Sequence, residues 1–259
     1  MRLEAQVIPT QILRVLSTIK TFDVRALLMG GQACVLYGAV EYSRDLDLAV
    51  LATPDALPAL RAALESLRAT VIAVPAFDVQ YLDRGHAVHF SIPDGSQSPL
   101  RVDIMSQLRG VAEFSDLWER RTTLALPVAD SDAEVLVEVM ALQDLVAAKK
   151  TQRDKDWPML RRLVDASYVA ERDSAVADER VMFWLSELRS PAFLTELVAQ
   201  YPDASTRSSR AVVVAAVRGG DIDAALAAEQ ASIMADDRAY WAPLRRELEA
   251  LRHQARRNP

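Results

Sequence analysis

The chain has one cysteine, Cys34, so it cannot form an internal disulfide and a reducing compartment suits it. Basic excess is also missing: the net charge is -6, which excludes a uniformly basic nucleic-acid binder and leaves room only for a local basic patch. No apolar run reaches the roughly 20 residues of a membrane span. The nearest, AVVVAAV from Ala211 to Val217, is short, lies between Arg210 and Arg218, and reads as a buried helix. The opening MRLEAQVIPTQ carries Glu4 and lacks the continuous apolar stretch of a signal peptide, so a cytoplasmic protein away from membranes is expected. Zinc-ligand spacings and a serine-centred hydrolase elbow are absent too.

What is present is length and apolar content. With 259 residues, half of them hydrophobic, the chain can build one large or two modest domains. Its patterns alternate at first. PTQILRVLSTIKTF predicts a helix, VRALLMGG a buried strand ending in Gly30 and Gly31, QACVLYGAV a short helix, and DLDLAVL a strand. TPDALPALRAALESLRA predicts a helix with Thr53 at its start. DVQYLD, HAVHFSI and LRVDIMS predict strands, the last two joined by a turn from Pro93 to Pro99. FSDLWERR predicts a helix and TTLALPV a last strand. Beyond Asp130 the patterns are helical, opening with a capping box of Ser131 and Glu134 in SDAEVLVEVMALQDLVAAKK. The expectation is therefore α+β: a mixed sheet flanked by helices over residues 1–128, then an all-α region over residues 129–259.

The unusual stretch is SRDLDLAVL, Ser43 to Leu51. Asp is poorly suited to a strand and costly to bury as a charge. Asp45 and Asp47 are two apart, so in a strand they share one face while Leu46 and Leu48 enter the core. Two adjacent like charges call for a cation between them, and a hard divalent ion such as Mg²⁺ suits carboxylates. LRVDIMS places a third carboxylate, Asp103, between core-facing Val102 and Ile104. If its strand pairs with the first, about 4.8 Å away, three carboxylates converge on a patch of the kind that holds two metal ions about 3.5–4 Å apart. Gly30 and Gly31 allow close approach of backbone to a ligand, and the following helix start offers free N–H groups to phosphate.

Gly30-Gly31, a gap of 13 residues, Asp45-Leu46-Asp47-Leu48 and the later Asp103 together resemble the nucleotidyltransferase superfamily of polymerase-β-like fold. The resemblance implies a nucleotidyltransferase-like mixed sheet and transfer of a nucleoside monophosphate from an NTP to an acceptor hydroxyl with two Mg²⁺ ions. It implies that Asp45 and Asp47 bind Mg²⁺ and the triphosphate, that Asp103 completes the second metal site, and that Gly30 and Gly31 hold phosphate. Many members carry Ser in the second glycine slot or just after it; here Gln32 follows the pair.

DLVAAKKTQRDKDWPMLRRLVDASY looks like the segment carrying Lys and Lys-Asp motifs in nucleotidyltransferases of the bacterial abortive-infection and toxin type. At helical spacing Lys149, Arg153 and Asp156 share a face beside Lys150. Such cations would neutralise departing pyrophosphate, with Asp156 holding one of them; equally, this is a charged helix end with Asp156 capping the next helix. Arg44 is a ligand contact if it lies in the loop before the strand, and faces away from the carboxylates if the strand has begun. His86 and His89 point to opposite strand faces and make a poor metal pair. Cys34 reads as a packed thiol. Trp241, Leu244, Leu248 and Leu251 form a stripe at helical spacing that packs on the protein itself, or else on a partner. The acceptor is open between a tRNA end, a protein side chain and a small molecule such as an aminoglycoside. The alternative is a catalytically inactive nucleotide-binding or toxin–antitoxin interaction protein on the same fold.

Overall fold

The structure is a computed structural model describing residues 9–39, 43–93, 98–128 and 133–257. It divides into two compact units. One is built from the chain up to Ala148 together with Trp241 onward, apart from a short stretch around Gly38; the other is Lys149–Tyr240 with that stretch.

The first unit is organised on β1 (Ala26–Met29), whose four residues are all buried. Strand β1 pairs antiparallel with β2 (Leu46–Val50), and β2 pairs in parallel with β5 (Leu100–Met105). Beyond β5 come β4 (Val88–Ile92) and the short β3 (Thr70–Val71). On the other side β1 meets β7 (Glu134–Val139), which carries β6 (Thr122–Pro127). The result is a seven-stranded mixed sheet of order β3-β4-β5-β2-β1-β7-β6. Helices α1 (Thr10–Thr21), α2 (Gly30–Leu36), α3 (Leu57–Ser66), α4 (Val79–Asp83), α5 (Phe114–Arg120) and α6 (Leu142–Ala148) complete the part of the unit that precedes Lys149. Helix α1 is amphipathic as its spacing predicts, burying Ile12, Leu13, Val15, Leu16 and Ile19.

The second unit is helical: α7 (Asp156–Glu171), α8 (Asp178–Glu187), α9 (Pro191–Gln200), α10 (Pro202–Thr206), α11 (Ala211–Arg218) and α12 (Ile222–Tyr240). Its core includes Leu160, Leu163 and Val164, with Tyr168 set edge-on against Trp184 at 5.2 Å between ring centres. Val212 and Val213 of α11 are fully buried, as the reading of AVVVAAV expects, and among the described residues no helix is long and apolar enough to cross a membrane. The expected α+β fold, a mixed sheet flanked by helices followed by a helical C-terminal region, is the one observed.

Three local expectations are corrected. DVQYLD is helix α4, because the Asp78 carboxylate accepts from the Gln80 N–H at 3.0 Å and caps a turn that buries Leu82. EVLVEV is strand β7 rather than the start of a helix. Val137 and Val139 are buried on one face, while Glu138 on the other accepts from Arg121 and Thr123 on the β6 side. Helical structure begins only at Leu142. Thr53 caps the turn before α3 rather than α3 itself, its hydroxyl accepting from Ala56 N–H at 3.3 Å. Ser131 of the expected capping box and residues 94–97 of the expected turn lie outside the described residues.

The last helix, α13 (Ala242–Arg257), belongs to the sheet-containing unit. Leu244, Leu248 and Leu251 are half-buried, Glu247 pairs with Arg84 and with buried His86, and the Trp241 ring lies against Gly85. The stripe therefore packs on the chain's own body.

Candidate active site

The carboxylates meet through strand register. Asp47 stands level with Met29 of β1 on one side and with Asp103 of β5 on the other. Because β2 and β5 are parallel and in register, Asp47 and Asp103 project from the same face of the sheet. Leu46, Leu48, Val102 and Ile104 point the other way and are fully buried. Strand β2 begins at Leu46, so Asp45 sits in the bend just before it and is exposed. Arg44 is likewise exposed, in the loop and not in the strand.

The glycine pair makes this arrangement possible in a specific way. Gly30 follows β1 directly and has φ +66°, the left-handed region. A Cβ there would lie 1.8 Å from Asp47 Oδ2, and one on Gly31 would lie 2.3 Å from Ser43 Oγ. The glycines thus make room for Asp47 and Ser43. The Gly31 N–H faces Asp47 Oδ2 at 3.4 Å, so the start of α2 points at a carboxylate of the chain itself. Gln32 is almost completely buried and donates to the Ser43 carbonyl at 2.7 Å, bracing the loop that delivers Asp45.

Asp103 is the most elaborately held of the acids. Arg101, two residues earlier on β5, donates from Nε to Oδ1 at 2.9 Å and from Nη2 to Oδ2 at 3.0 Å. His89 of β4, level with Asp103, brings Nδ1 to 2.8 Å from Oδ1. Nδ1 lies 3.2 Å from Arg101 Nη2 as well, and a ring nitrogen cannot donate to one and accept from the other; the shorter contact favours donation to Asp103. Burial pushes the Asp103 carboxyl up, but hydrogen bonds and charge from His89 and Arg101 outweigh it and hold the group below the usual carboxylate range. The Arg101 guanidinium is in turn pushed up, first by its hydrogen bond to Asp103, against burial, and then by the charges of Asp103, Asp45 and Asp47.

His89 and Arg101 were not picked out as site residues by their sequence. The signal was the alternation itself: Val88, Phe90 and Ile92 are core, so His89 takes the other face, and the same alternation in LRVDIMS puts Arg101 beside Asp103. The expected placement of His86 and His89 on opposite faces of one strand is corrected: His86 precedes β4 and is buried against Glu247, and only His89 lies in the strand. Cys34 is buried, as expected of a packed thiol.

The second patch is arranged differently from its predicted helical face. Helix α6 ends at Ala148 and α7 starts at Asp156, so Lys149, Lys150 and Arg153 lie in the connection between them. Asp156 is buried and accepts from Thr151 Oγ1 at 2.5 Å and from Arg153 Nε at 2.8 Å, so it does hold one of the cations. Lys150 pairs with Glu187 at 2.6 Å. Lys149 is buried, and its carbonyl accepts from Thr151 N–H at 2.9 Å.

As a metal site, the face divides in two. Carboxylate oxygens are the donors Mg²⁺ takes, and Asp45 and Asp47 supply them at the entrance of β2. Asp103 has both oxygens engaged within the chain, Oδ1 by Arg101 and His89 and Oδ2 by Arg101. Accordingly, among the described residues no three His, Cys, Asp or Glu side chains are grouped to hold one metal ion.

No family model and no curated protein matches the chain. Solved structures do. An antigenic nucleotidyltransferase-like protein from Paracoccidioides brasiliensis is 15% identical, with 76% of this chain and 89% of that one covered, at a TM-score of 0.42. ANT(2'')-Ia in complex with adenylyl-2''-tobramycin is 11% identical over 75% of this chain and 98% of that one, at 0.33. The solution structure of the antibiotic-resistance factor ANT(2'')-Ia is 12% identical over 93% and 97%, at 0.35. These likenesses are loose, and the geometry above carries the reading of the site.

Proposed function

We propose that the chain is a Mg²⁺-dependent nucleotidyltransferase of polymerase-β-like fold, moving a nucleoside monophosphate from an NTP to an acceptor hydroxyl. One observation carries this: Asp47 and Asp103 stand level on adjacent parallel strands, on one face, with Asp45 at the strand entrance and the Gly30 backbone against Asp47. Two acids side by side on one strand face, with a third at its entrance, repel one another unless a cation is part of their use.

In the reaction, the acceptor oxygen attacks the α-phosphorus, the bond from that phosphorus to the bridging oxygen breaks, pyrophosphate leaves, and the hydroxyl proton passes to water. Asp45 and Asp47 would hold Mg²⁺, whose bound charge offsets that of the triphosphate and of departing pyrophosphate. Asp103 is held ionised by Arg101 and His89, so it suits orienting the acceptor hydroxyl better than removing its proton, a task for a group titrating near neutrality. The backbone at Gly30 and Gly31, with Arg44 in the neighbouring loop, borders the triphosphate. Lys149, Lys150, Arg153 and Asp156 form a separate charged patch in the helical unit.

The acceptor is either the hydroxyl of a small molecule or a tRNA end, and one experiment separates them. The protein is incubated with each α-labelled NTP and Mg²⁺, with total tRNA in one arm and an aminoglycoside in the other, beside an Asp45→Ala/Asp47→Ala double variant. Label transfer by the wild type alone is expected in one arm. Absence of transfer in both, with no Mg²⁺-dependent NTP binding by calorimetry, sinks the reading.

A further inference from the structure

We propose that Arg101 is the second cation of this site: its guanidinium, clamped on Asp103, stands where a second metal ion would, so the chain takes one divalent ion with its nucleotide. This rests on the nucleotidyltransferase reading and narrows it.

The first support is geometric. Arg101 grips Asp103 with two parallel hydrogen bonds, 2.9 and 3.0 Å, one to each oxygen. A planar guanidinium matches a carboxylate in this way, and such charge-assisted pairs are the strong ones. His89 adds a contact to Oδ1 from the adjacent strand at 2.8 Å. Oδ1 is met by both Arg101 and His89, so a metal ion taking that oxygen must displace one of them, and one taking Oδ2 must share it with the guanidinium. Within the clamp the Asp103 side chain is 13% exposed, while the Arg101 side chain is 45% exposed.

The second support is register. The pairing of Leu46 with Val102 sets Asp103 level with Asp47, and Arg101, two residues before Asp103 on β5, shares its face. The guanidinium therefore stands on the carboxylate face, alongside the acids and not behind them. Its charge feels all three, Asp103 most closely and then Asp45 and Asp47.

The third support is charge. The Asp103 carboxylate is already matched by the Arg101 guanidinium. Only Asp45 and Asp47 are then left to share between two divalent ions, beside a fixed positive charge. Arg101 has the further property of being permanently charged, so the second positive charge needs no recruitment from solution.

The test counts ions. Mn²⁺ bound to the full chain with an α,β-methylene ATP analogue is measured by electron paramagnetic resonance of the free ion. One Mn²⁺ per chain is expected for the wild type, and still one for Asp103→Asn, because Asp103 is not a ligand. Two are expected for Arg101→Gln, which frees the Asp103 oxygens. Two ions in the wild type, falling to one in Asp103→Asn, overturns the proposal and leaves the transfer reading standing. A count that stays at one in Arg101→Gln overturns it as well, by showing that the guanidinium keeps no ion out. If no ion binds with any nucleotide, the proposal and the nucleotidyltransferase reading fall together.

Discussion

The two units handle buried and half-buried charge in opposite ways. In the helical unit, Arg210 donates from Nε and Nη2 to the two oxygens of Glu229 at 2.8 and 2.9 Å. Its Nη1 donates to the carbonyls of Leu185 and Leu188, and Arg189 reaches Glu229 at 3.0 Å while stacking over Trp157. The cations there are tied to helix ends and to a shared carboxylate, which locks the packing of α8, α11 and α12. On the sheet, the described charges of the carboxylate face are three acids against Arg101 and His89. The first arrangement is nearly closed upon itself; the second is left short of positive charge. An electrostatic deficit that folding does not fill is the physical mark of a place where a ligand supplies the rest.

The largest expected effect separates these roles. Asp47→Asn keeps the shape of the side chain and removes charge where the deficit lies. Transfer should fall by several kcal/mol of barrier, at least about a thousandfold, in a kcat/KM measurement. The urea midpoint should barely move. A protein that loses stability in step with activity would make the face structural, like the Arg210 network.

Glu229→Gln is the converse. It leaves Arg189 and Arg210 buried without a counter-ion, and removing one partner of a buried pair costs about 3–5 kcal/mol. Burial raises the Glu229 carboxyl, but its hydrogen bond and charge contact with Arg210, followed by Arg189, hold it below its ordinary value. A depressed carboxyl stabilises above its unfolded-state pKa, about 4.3, and that contribution is lost as pH falls through the lower folded value. The stability gap between wild type and variant in urea titrations should be full at pH 7 and shrink below pH about 4. A gap independent of pH would show that Glu229 acts by shape alone.

Gly30→Ala has a modest effect on stability and a sharp one on geometry. The left-handed backbone costs about 1–2 kcal/mol for alanine, read as a Tm lower by a few degrees. The added Cβ also falls on the Asp47 carboxylate and must push it aside. Transfer should drop far more than the Tm shift accounts for; unchanged transfer would mean that the position of Asp47 is not critical.

Much of this was legible in the order of residues. Period-two alternation in LDLAV and LRVDIM assigned their core and carboxylate faces without a structure, because a strand has only two faces. The same rule puts Arg101 and His89 on the carboxylate face, but neither was picked out, because their significance depends on what stands beside them. Two short stretches misled. DVQYLD carries strand-like residues, yet a local Asp78 cap makes it helical; EVLVEV fits a helical run that follows it, yet pairs with β6. Local pattern is ambiguous over five or six residues, and there neighbours decide. The face predicted for Lys149, Arg153 and Asp156 failed for a related reason, since spacing on a helix means nothing where the helix has stopped.

The sequence by itself determined the alternating strands, the carboxylates at Asp45, Asp47 and Asp103, and the glycine pair that precedes them, because side-chain period and backbone permissiveness are local properties. Tertiary structure alone decided that β2 and β5 lie side by side and in register, that Gly30 yields its space to Asp47, and that Arg101 closes on Asp103. The register joins strands more than fifty residues apart, and only the packing of the sheet brings Asp47, Asp103 and the groups around them within reach of one another.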